Sequence, residues 1–207
     1  MAERKLTDAE QRRLSRFTGI SEDLVSQGYK RTDLDISIVR ANVAAIVATI
    51  LLFAVSGLLF HIIHPETSLF VPLLEFIDYF VAFIVLIVVH ELIHGLTWSC
   101  FTPNGFKDIE FGIMQDSKTP YCACLVPLRR APYVLGALMP LVTLGIAPMV
   151  VALCMGNVAL LYLGIFMTTA AVGDVMVVAK VLRYKPKSDD MLLFDHPIEA
   201  GSVVFER

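Results

Sequence analysis

The stretch "VVHELIHGLTW", residues 88–98, places two histidines and a glutamate inside a segment that is otherwise apolar. Residues four apart lie on the same face of an α-helix, so His90 and His94 can both direct imidazole nitrogens at a single ion. Glu91 lies beside that face, where its carboxylate can reach a water bound to the ion without being a ligand itself. The spacing therefore predicts a zinc (Zn²⁺) site with His90 and His94 as metal ligands and Glu91 as the catalytic base.

The composition of the chain indicates where this motif lies. Of 207 residues, 56% are hydrophobic and 18% charged, and the mean hydropathy is +0.68. A bilayer core about 30 Å thick requires about 20 apolar residues per helix. Four segments are long enough, namely residues 41–63, 70 or 79 to 101, 131–155 and 157–182. We therefore predict an all-α integral membrane protein, with a transmembrane domain of four helices over residues 41–182.

The basic residues indicate the orientation of these helices, because Lys and Arg near membrane ends favour the cytoplasmic side. Eight of the 17 precede residue 41, four lie between residues 101 and 131, and five lie between residues 180 and 207. We therefore predict that residues 1–40 and 183–207 are cytoplasmic and that both termini lie in the cytoplasm. Acidic and basic residues are mixed along the polar segments, so the net charge of −3 says little about partners, and nothing in the sequence indicates nucleic acid. The apolar spans predict the lipid bilayer as a partner.

The first forty residues contain a short predicted helix. Thr7 and Glu10 have the spacing of a capping box, and Leu14 and Phe17 follow on one side of the helix. Two interpretations are open for this helix. It is either a solvated cytoplasmic helix or one that rests on the anionic inner surface of the membrane.

A catalytic zinc usually has three protein ligands and leaves the fourth position to water. Asp174, in "TAAVGDVMVVAK" (residues 169–180), is the one clear acid inside the last predicted span. At about 1.5 Å per residue, His90 lies about 16 Å from the inner end near Phe101, and Asp174 lies about 14 Å from Arg183. The matching depths make Asp174 the candidate third ligand. The alternative is that Asp174 and the histidines only form hydrogen bonds with neighbouring helices, although such groups cost several kcal/mol in lipid unless something compensates them.

Residues 106–127, "FKDIEFGIMQDSKTPYCACLVP", contain two apolar or alternating runs around a polar turn and predict a β-hairpin on the cytoplasmic side. An exposed edge strand could hold an unwound substrate by strand addition, and a structural cap over the helix ends is the alternative. Cys122 and Cys124 would share one face of the strand, where they could hold a metal. A pair of small apolar residues is the favoured interpretation.

Four short motifs lie in the spans and the polar segments, namely "HELIHG" in the second span, "GD" in the fourth span, and "YCACLVPL" and "DHPIEAG" in the polar segments. In these motifs the chain resembles the bacterial putative zincin peptidase family of small four-span membrane proteins. That family is in turn similar to the site-2 protease class of intramembrane metalloproteases. The resemblance implies that His90, His94 and Asp174 bind zinc, that Glu91 is the base, and that the substrate is a membrane protein or peptide in the bacterial cell membrane. The sequence departs from site-2 proteases at Asp174, which stands in "AVGDVM" and not in an Asn-Pro-Asp-Gly setting.

Two functional classes remain open from the sequence. The first is a zinc-dependent intramembrane endopeptidase. The second is a non-enzymatic membrane protein that binds or transports a divalent metal through the same His, His and Asp side chains. A transport path would be expected to show polar residues on both sides of the metal, and the outer half here is almost wholly apolar. The enzyme is therefore favoured, and Glu91 is the residue that distinguishes the two.

Overall fold

The computed structural model describes residues 6–114 and 119–207, which form seven α-helices and two small antiparallel sheets. The helices are α1 (Asp8–Ser26), α2 (Ile38–Ile63), α3 (Leu73–Ser99), α4 (Arg130–Pro140), α5 (Ala147–Met155), α6 (Val158–Ala170) and α7 (Val172–Arg183). The strands are β1 (Lys30–Asp35), β2 (Ile109–Ile113), β3 (Pro120–Cys124), β4 (Leu128–Arg129), β5 (Met191–Asp195) and β6 (Gly201–Glu206). A 3₁₀ turn covers Gly105–Asp108, and a π-helical turn covers Leu141–Ile146.

Three helical segments are long and apolar enough to cross a membrane, namely Ile38–Ile63, Ile77–Ser99 and Arg130–Met155. The third joins α4 and α5 through the π-helical turn that follows Pro140. The fourth predicted segment is bent by 46° between α6 and α7, so it is a fourth span only if the bent pair is counted as one. The sequence did not predict this bend, because the apolar stretch continues through it and contains no proline.

Glycines allow the helices near the π-helical turn to pack closely. A Cβ atom on Gly164 of α6 would lie 3.0 Å from the carbonyl oxygen of Gly145, and one on Gly145 would lie 2.5 Å from the Thr168 hydroxyl. Small residues at helix contacts are the usual means by which membrane helices approach each other. This contact holds α6, and with it the start of α7, against the third span.

The predicted hairpin is present between α3 and α4, where β2 pairs antiparallel with β3 and Phe111 lies opposite Cys122. Residues 115–118 of the predicted turn lie outside the described residues. The hairpin packs on α3 at Gly95, where a Cβ atom would lie 2.5 Å from the Phe111 ring. The glycine that follows His94 therefore lets the hairpin approach the histidine helix. The cytoplasmic location of the hairpin stays a prediction.

The second sheet corrects the prediction of an all-α fold with a single hairpin. Its strand order is β1-β6-β5-β4, and every pair is antiparallel. The sheet joins the segment before α2, the segment before α4 and the C-terminal segment, so these three parts of the chain meet beside α4 and α7. The sequence "KRTDLD" of β1 is charged and lacks a run of apolar residues, and its partner β6 lies at the other end of the chain. Neither feature indicates the pairing in advance.

Helix α1 packs on this second sheet. The predicted capping box at its start is confirmed, since Thr7 and Glu10 exchange side-chain and backbone hydrogen bonds. The ring of Phe17 is 2% exposed and lies edge-on to Phe194 of β5, with 5.1 Å between the ring centroids. On another side of the helix, Arg13 is buried and donates to the carbonyl oxygen of Pro197. The apolar side of α1 therefore covers protein and not lipid or solvent.

Candidate metal centre

The polar residues of the HExxH motif lie in the middle of the bundle. His90 and His94 are one turn apart on α3 and are only 5% and 4% exposed. Asp174 lies in the first turn of α7, just beyond the bend at Ala171. The N-terminus of a helix carries partial positive charge, which stabilises a carboxylate. The bend therefore provides a favourable position for an acid between apolar helices.

The ligand atoms of the three residues converge. His90 Nε2 lies 3.1 Å from Asp174 Oδ2 and 3.1 Å from His94 Nε2. The remaining distance, from His94 Nε2 to Asp174 Oδ2, is 3.5 Å. Tetrahedral zinc with ligands at about 2.0–2.1 Å places neighbouring ligand atoms about 3.3 Å apart. The structure thus brings the three predicted ligands together in an arrangement that fits zinc. Their metal-binding role stays a prediction.

A hydrogen bond sets the orientation of the His94 ring. Its Nδ1 atom lies 2.8 Å from the carbonyl oxygen of Gly136 in α4. A carbonyl only accepts, so Nδ1 carries a proton, and in the neutral ring the lone pair is then on Nε2, the atom that faces His90 and Asp174. Metal-binding histidines usually have such a partner behind them. His90 differs, because its buried Nδ1 atom has no hydrogen-bond partner among the described residues.

Trp98 supports the His94 ring from one side. The two rings stack with 5.2 Å between centroids and 16° between planes. The indole nitrogen of Trp98 donates to the carbonyl oxygen of Tyr133 at 3.1 Å, and a Cβ atom on Gly136 would overlap the indole ring. The sequence analysis did not identify Trp98 or Gly136. The spacing from His94 to Trp98, one further turn on the same helix face, is a signal that could have identified the tryptophan.

Glu91 lies close to the three candidate ligands and to the hairpin. Its half-buried carboxylate lies close enough to His94, His90 and Asp174 to interact with them electrostatically. It also accepts a hydrogen bond from the backbone N–H of Cys122 in β3. It takes no part in the group of converging ligand atoms. This is the position that the sequence predicts for a base that acts on a water beside the metal, and the role of Glu91 as a base stays a prediction.

The outer edge of β3 has its hydrogen-bond donors occupied. The N–H of Leu125 donates to Asp108 across the hairpin, so by alternation the N–H groups of Cys122 and Cys124 face away from β2. The N–H of Cys124 donates to the Asp195 carboxylate at 2.7 Å, and that of Cys122 points to the metal centre. Strand addition at β3 would have to displace these contacts.

The structure favours the apolar interpretation of the two hairpin cysteines. Burial raises the pKa of the Cys124 thiol to about 12 and raises the pKa of the Cys122 thiol well above its usual range. A thiol binds metal as the thiolate, so both are poor ligands at neutral pH. Asp174 and the two histidines form the one candidate metal group found in the part of the chain that the structure describes.

Asp195 is a partly buried acid that the sequence analysis did not identify. Its carboxylate accepts hydrogen bonds from the Tyr133 hydroxyl and the Cys124 N–H, both at 2.7 Å. Burial raises the pKa of Asp195, and these hydrogen bonds oppose the rise. Tyr133 in turn accepts from Trp98, which stacks on His94. Strand β5 is thereby connected to the helix that carries the histidines.

Residues 83–189 match the model of a protein family described as "Putative zincin peptidase". The match covers more than half of the chain and includes all four residues predicted for the site, His90, Glu91, His94 and Asp174. No curated protein and no solved structure matches the chain.

Proposed function

The chain belongs to the putative zincin peptidase family, and from this premise we propose that it is a zinc-dependent endopeptidase that cleaves membrane-associated proteins at a site within the bilayer. The observation that carries the proposal is the convergence of His90 and His94 from α3 with Asp174 from α7, with Glu91 beside them. When bound by these three ligands, zinc would lower the pKa of a coordinated water to about 7 and polarise a peptide carbonyl.

The other residues of the centre hold protons and orient side chains. Glu91 takes the proton of the attacking water and delivers it to the leaving amine, which is the general base and general acid role of the glutamate in an HExxH motif. Gly136 keeps the proton of His94 on Nδ1, so Nε2 stays available as a ligand. Trp98 packs against the His94 ring and limits its movement.

The apolar surroundings support a substrate that comes from the membrane. Most large apolar side chains of α2 are exposed on the surface of the protein, as lipid-facing residues of a span would be. Helical peptide bonds are protected by their own hydrogen bonds, so the substrate must be unwound at the point of cleavage. A site between helices and beside a β-hairpin suits an extended segment of a membrane protein.

Three variants of the detergent-purified protein test the proposal. We expect His90→Ala and Asp174→Ala to lose zinc, because each removes one of three ligands. We expect Glu91→Gln to keep zinc and lose nearly all cleavage, because the amide cannot accept the proton of water. Metal content measured by mass spectrometry and cleavage of membrane-peptide substrates check these expectations.

Two outcomes would contradict the proposal. A folded wild-type protein that binds no transition metal from a zinc-containing buffer would remove its basis. Metal uptake into proteoliposomes that persists in Glu91→Gln, without peptide cleavage by the wild type, would instead indicate a metal transporter.

A further inference from the structure

The carboxylate of Asp195 in β5 holds two elements that reach the candidate metal centre. Its Oδ2 atom accepts a hydrogen bond from the backbone N–H of Cys124 in β3, at 2.7 Å. Its Oδ1 atom accepts one from the Tyr133 hydroxyl in α4, also at 2.7 Å. One side chain therefore joins the hairpin to the start of the third span.

Strand β3 extends the first of these attachments to Glu91. The N–H groups of Cys122 and Cys124 lie on the same edge of β3, two residues or about 7 Å apart. The N–H of Cys122 donates to the Glu91 carboxylate, and the N–H of Cys124 donates to Asp195. Two carboxylates thus hold one strand edge at neighbouring points. The position of Asp195 consequently sets where the Cys122 N–H meets Glu91.

Helix α4 extends the second attachment to His94. Gly136 follows Tyr133 by three residues, which is about one turn and about 4.5 Å along the helix axis. The carbonyl oxygen of Gly136 accepts from His94 Nδ1, and the carbonyl oxygen of Tyr133 accepts from Trp98. A displacement of this turn of α4 would therefore lengthen the bond that orients the His94 ring.

Strand β5 is a firm base for both attachments. It is an inner strand of the sheet β1-β6-β5-β4, where Leu193 is fully buried and Asp195 pairs with Ser202 of β6. Phe194, which points to the opposite face, is buried against Phe17 of α1. The sheet and α1 contribute no candidate ligand, but they fix the backbone that carries the Asp195 carboxylate.

We propose that Asp195 is a positioning residue of the metal centre, which holds β3 against Glu91 and α4 against His94. It acts through the backbone groups of Cys122 and Gly136 and touches neither the metal ligands nor the reacting atoms. The inference rests on the proposed function, because it requires zinc at the centre and Glu91 as the base. A misplacement of about 1 Å can cost about 100-fold in rate, so small shifts of β3 or α4 have measurable effects.

Two variants separate the two attachments. Asp195→Ala removes both hydrogen bonds, and Tyr133→Phe removes only the bond to α4. We expect both variants to bind zinc about tenfold more weakly in competition with a chelator, because both release the turn of α4 behind His94. Only Asp195→Ala should also lower the kcat of the zinc-saturated protein, by about tenfold and with little change in KM, because only this variant releases β3 from Glu91.

Two further measurements need no cleavage. The double variant should bind zinc as weakly as Asp195→Ala alone, since Tyr133 acts on the centre through Asp195. Co²⁺ binds to the same kinds of ligand as zinc, and its visible absorption depends on the geometry of those ligands. We expect the Co²⁺ spectra of Asp195→Ala and Tyr133→Phe to differ from that of the wild type.

Asp190 and Tyr29 provide a matched pair of controls on the same sheet. The Asp190 carboxylate directly precedes β5, accepts from the Tyr29 hydroxyl, and also pairs with Arg207. Tyr29 lies between α1 and β1, and Arg207 follows β6, so these bonds join parts of the sheet to each other. We expect Asp190→Ala and Tyr29→Phe to keep the zinc affinity, the kcat and the Co²⁺ spectrum of the wild type.

The outcomes distinguish this inference from the peptidase function. Wild-type zinc affinity and kcat in a folded Asp195→Ala protein would overturn the positioning role alone, even if its melting temperature falls. If Asp195→Ala does not fold, unchanged zinc affinity and an unchanged Co²⁺ spectrum in Tyr133→Phe would do the same.

A wild type that binds zinc but cleaves nothing would overturn the peptidase proposal. The zinc affinities and Co²⁺ spectra would then still decide whether Asp195 positions His94. A wild type that binds no transition metal would overturn both.

Discussion

The Nδ1 atom of His94 donates a hydrogen bond to the carbonyl oxygen of Gly136, 2.8 Å away. The bond connects the histidine helix to α4, a helix that contributes no candidate ligand. It also sets the tautomer that leaves His94 Nε2 free to bind a cation. Gly136 can occupy this position only because it lacks a side chain, since the Trp98 indole fills the space of a Cβ atom.

We expect Gly136→Ala to weaken zinc binding about 10- to 100-fold. The new methyl group would overlap Trp98 and push α4 away from α3, which lengthens the bond to His94. Zinc affinity measured by competition with a chelator checks this. Gly57→Ala is the control, because a Cβ atom at Gly57 would lie at an ordinary 3.8 Å from Leu69. An unchanged affinity in a folded Gly136→Ala protein would show that the bond does not orient the ligand.

Zinc should stabilise the folded protein, because its ligands come from two helices that separate on unfolding. At free zinc about 100-fold above the dissociation constant, the expected gain is about 2.7 kcal/mol. The melting temperature in detergent, measured with zinc and with a chelator, checks the effect. His90→Ala should show no zinc-dependent shift, and an equal shift in that variant would mean that zinc acts at another site.

The sequence predicted those features of the site that depend on local spacing. The separation of His90 and His94 follows from the helical period, and the depth of Asp174 follows from counting residues to the inner end of each span. The structure places these three groups together. Trp98 follows the same helical period, but the bond from His94 to Gly136 depends on how α4 packs against α3, and no local pattern encodes that packing.

The second sheet and the bend at Ala171 were not predictable for related reasons. Residues 30–35 pair with residues 201–206, so the strand is stabilised by a partner at the far end of the chain and not by its own composition. The bend between α6 and α7 occurs in a continuous apolar run that contains no proline. In both places tertiary contacts determine the local structure. The charged sequence of β1 and the apolar sequence around the bend are compatible with these structures but do not specify them.

Phe17→Ala should release α1 from the sheet. The ring is 2% exposed and contacts Phe194 and Phe205, so its removal should cost about 3–5 kcal/mol. Limited proteolysis with trypsin should then cleave at the arginines of α1 at lower protease concentration. Val25→Ala, on the same helix but 51% exposed, is the matched control and should behave as the wild type. Equal resistance of both variants would contradict the docking of α1.

Asp195 should make the stability of the protein depend on pH. Burial raises the pKa of Asp195 in the folded state above the value of about 3.9 expected in the unfolded chain. The folded state therefore favours the protonated acid. The contribution of Asp195 to the free energy of unfolding is fully present below about pH 4 and is lost as the pH rises through the raised pKa. Asp195→Asn stays neutral and keeps an acceptor for Tyr133 or Cys124.

The wild type should therefore lose stability relative to Asp195→Asn as the pH rises from about 4 to 8, because only the wild type must bury a charge. Melting temperatures of both proteins across this range give the difference at each pH. Asp189→Asn is the control variant, since Asp189 is an exposed carboxylate just before β5. A difference between wild type and Asp195→Asn that stays constant with pH would contradict the raised pKa, and the carboxylate would then be charged in the folded protein throughout the range.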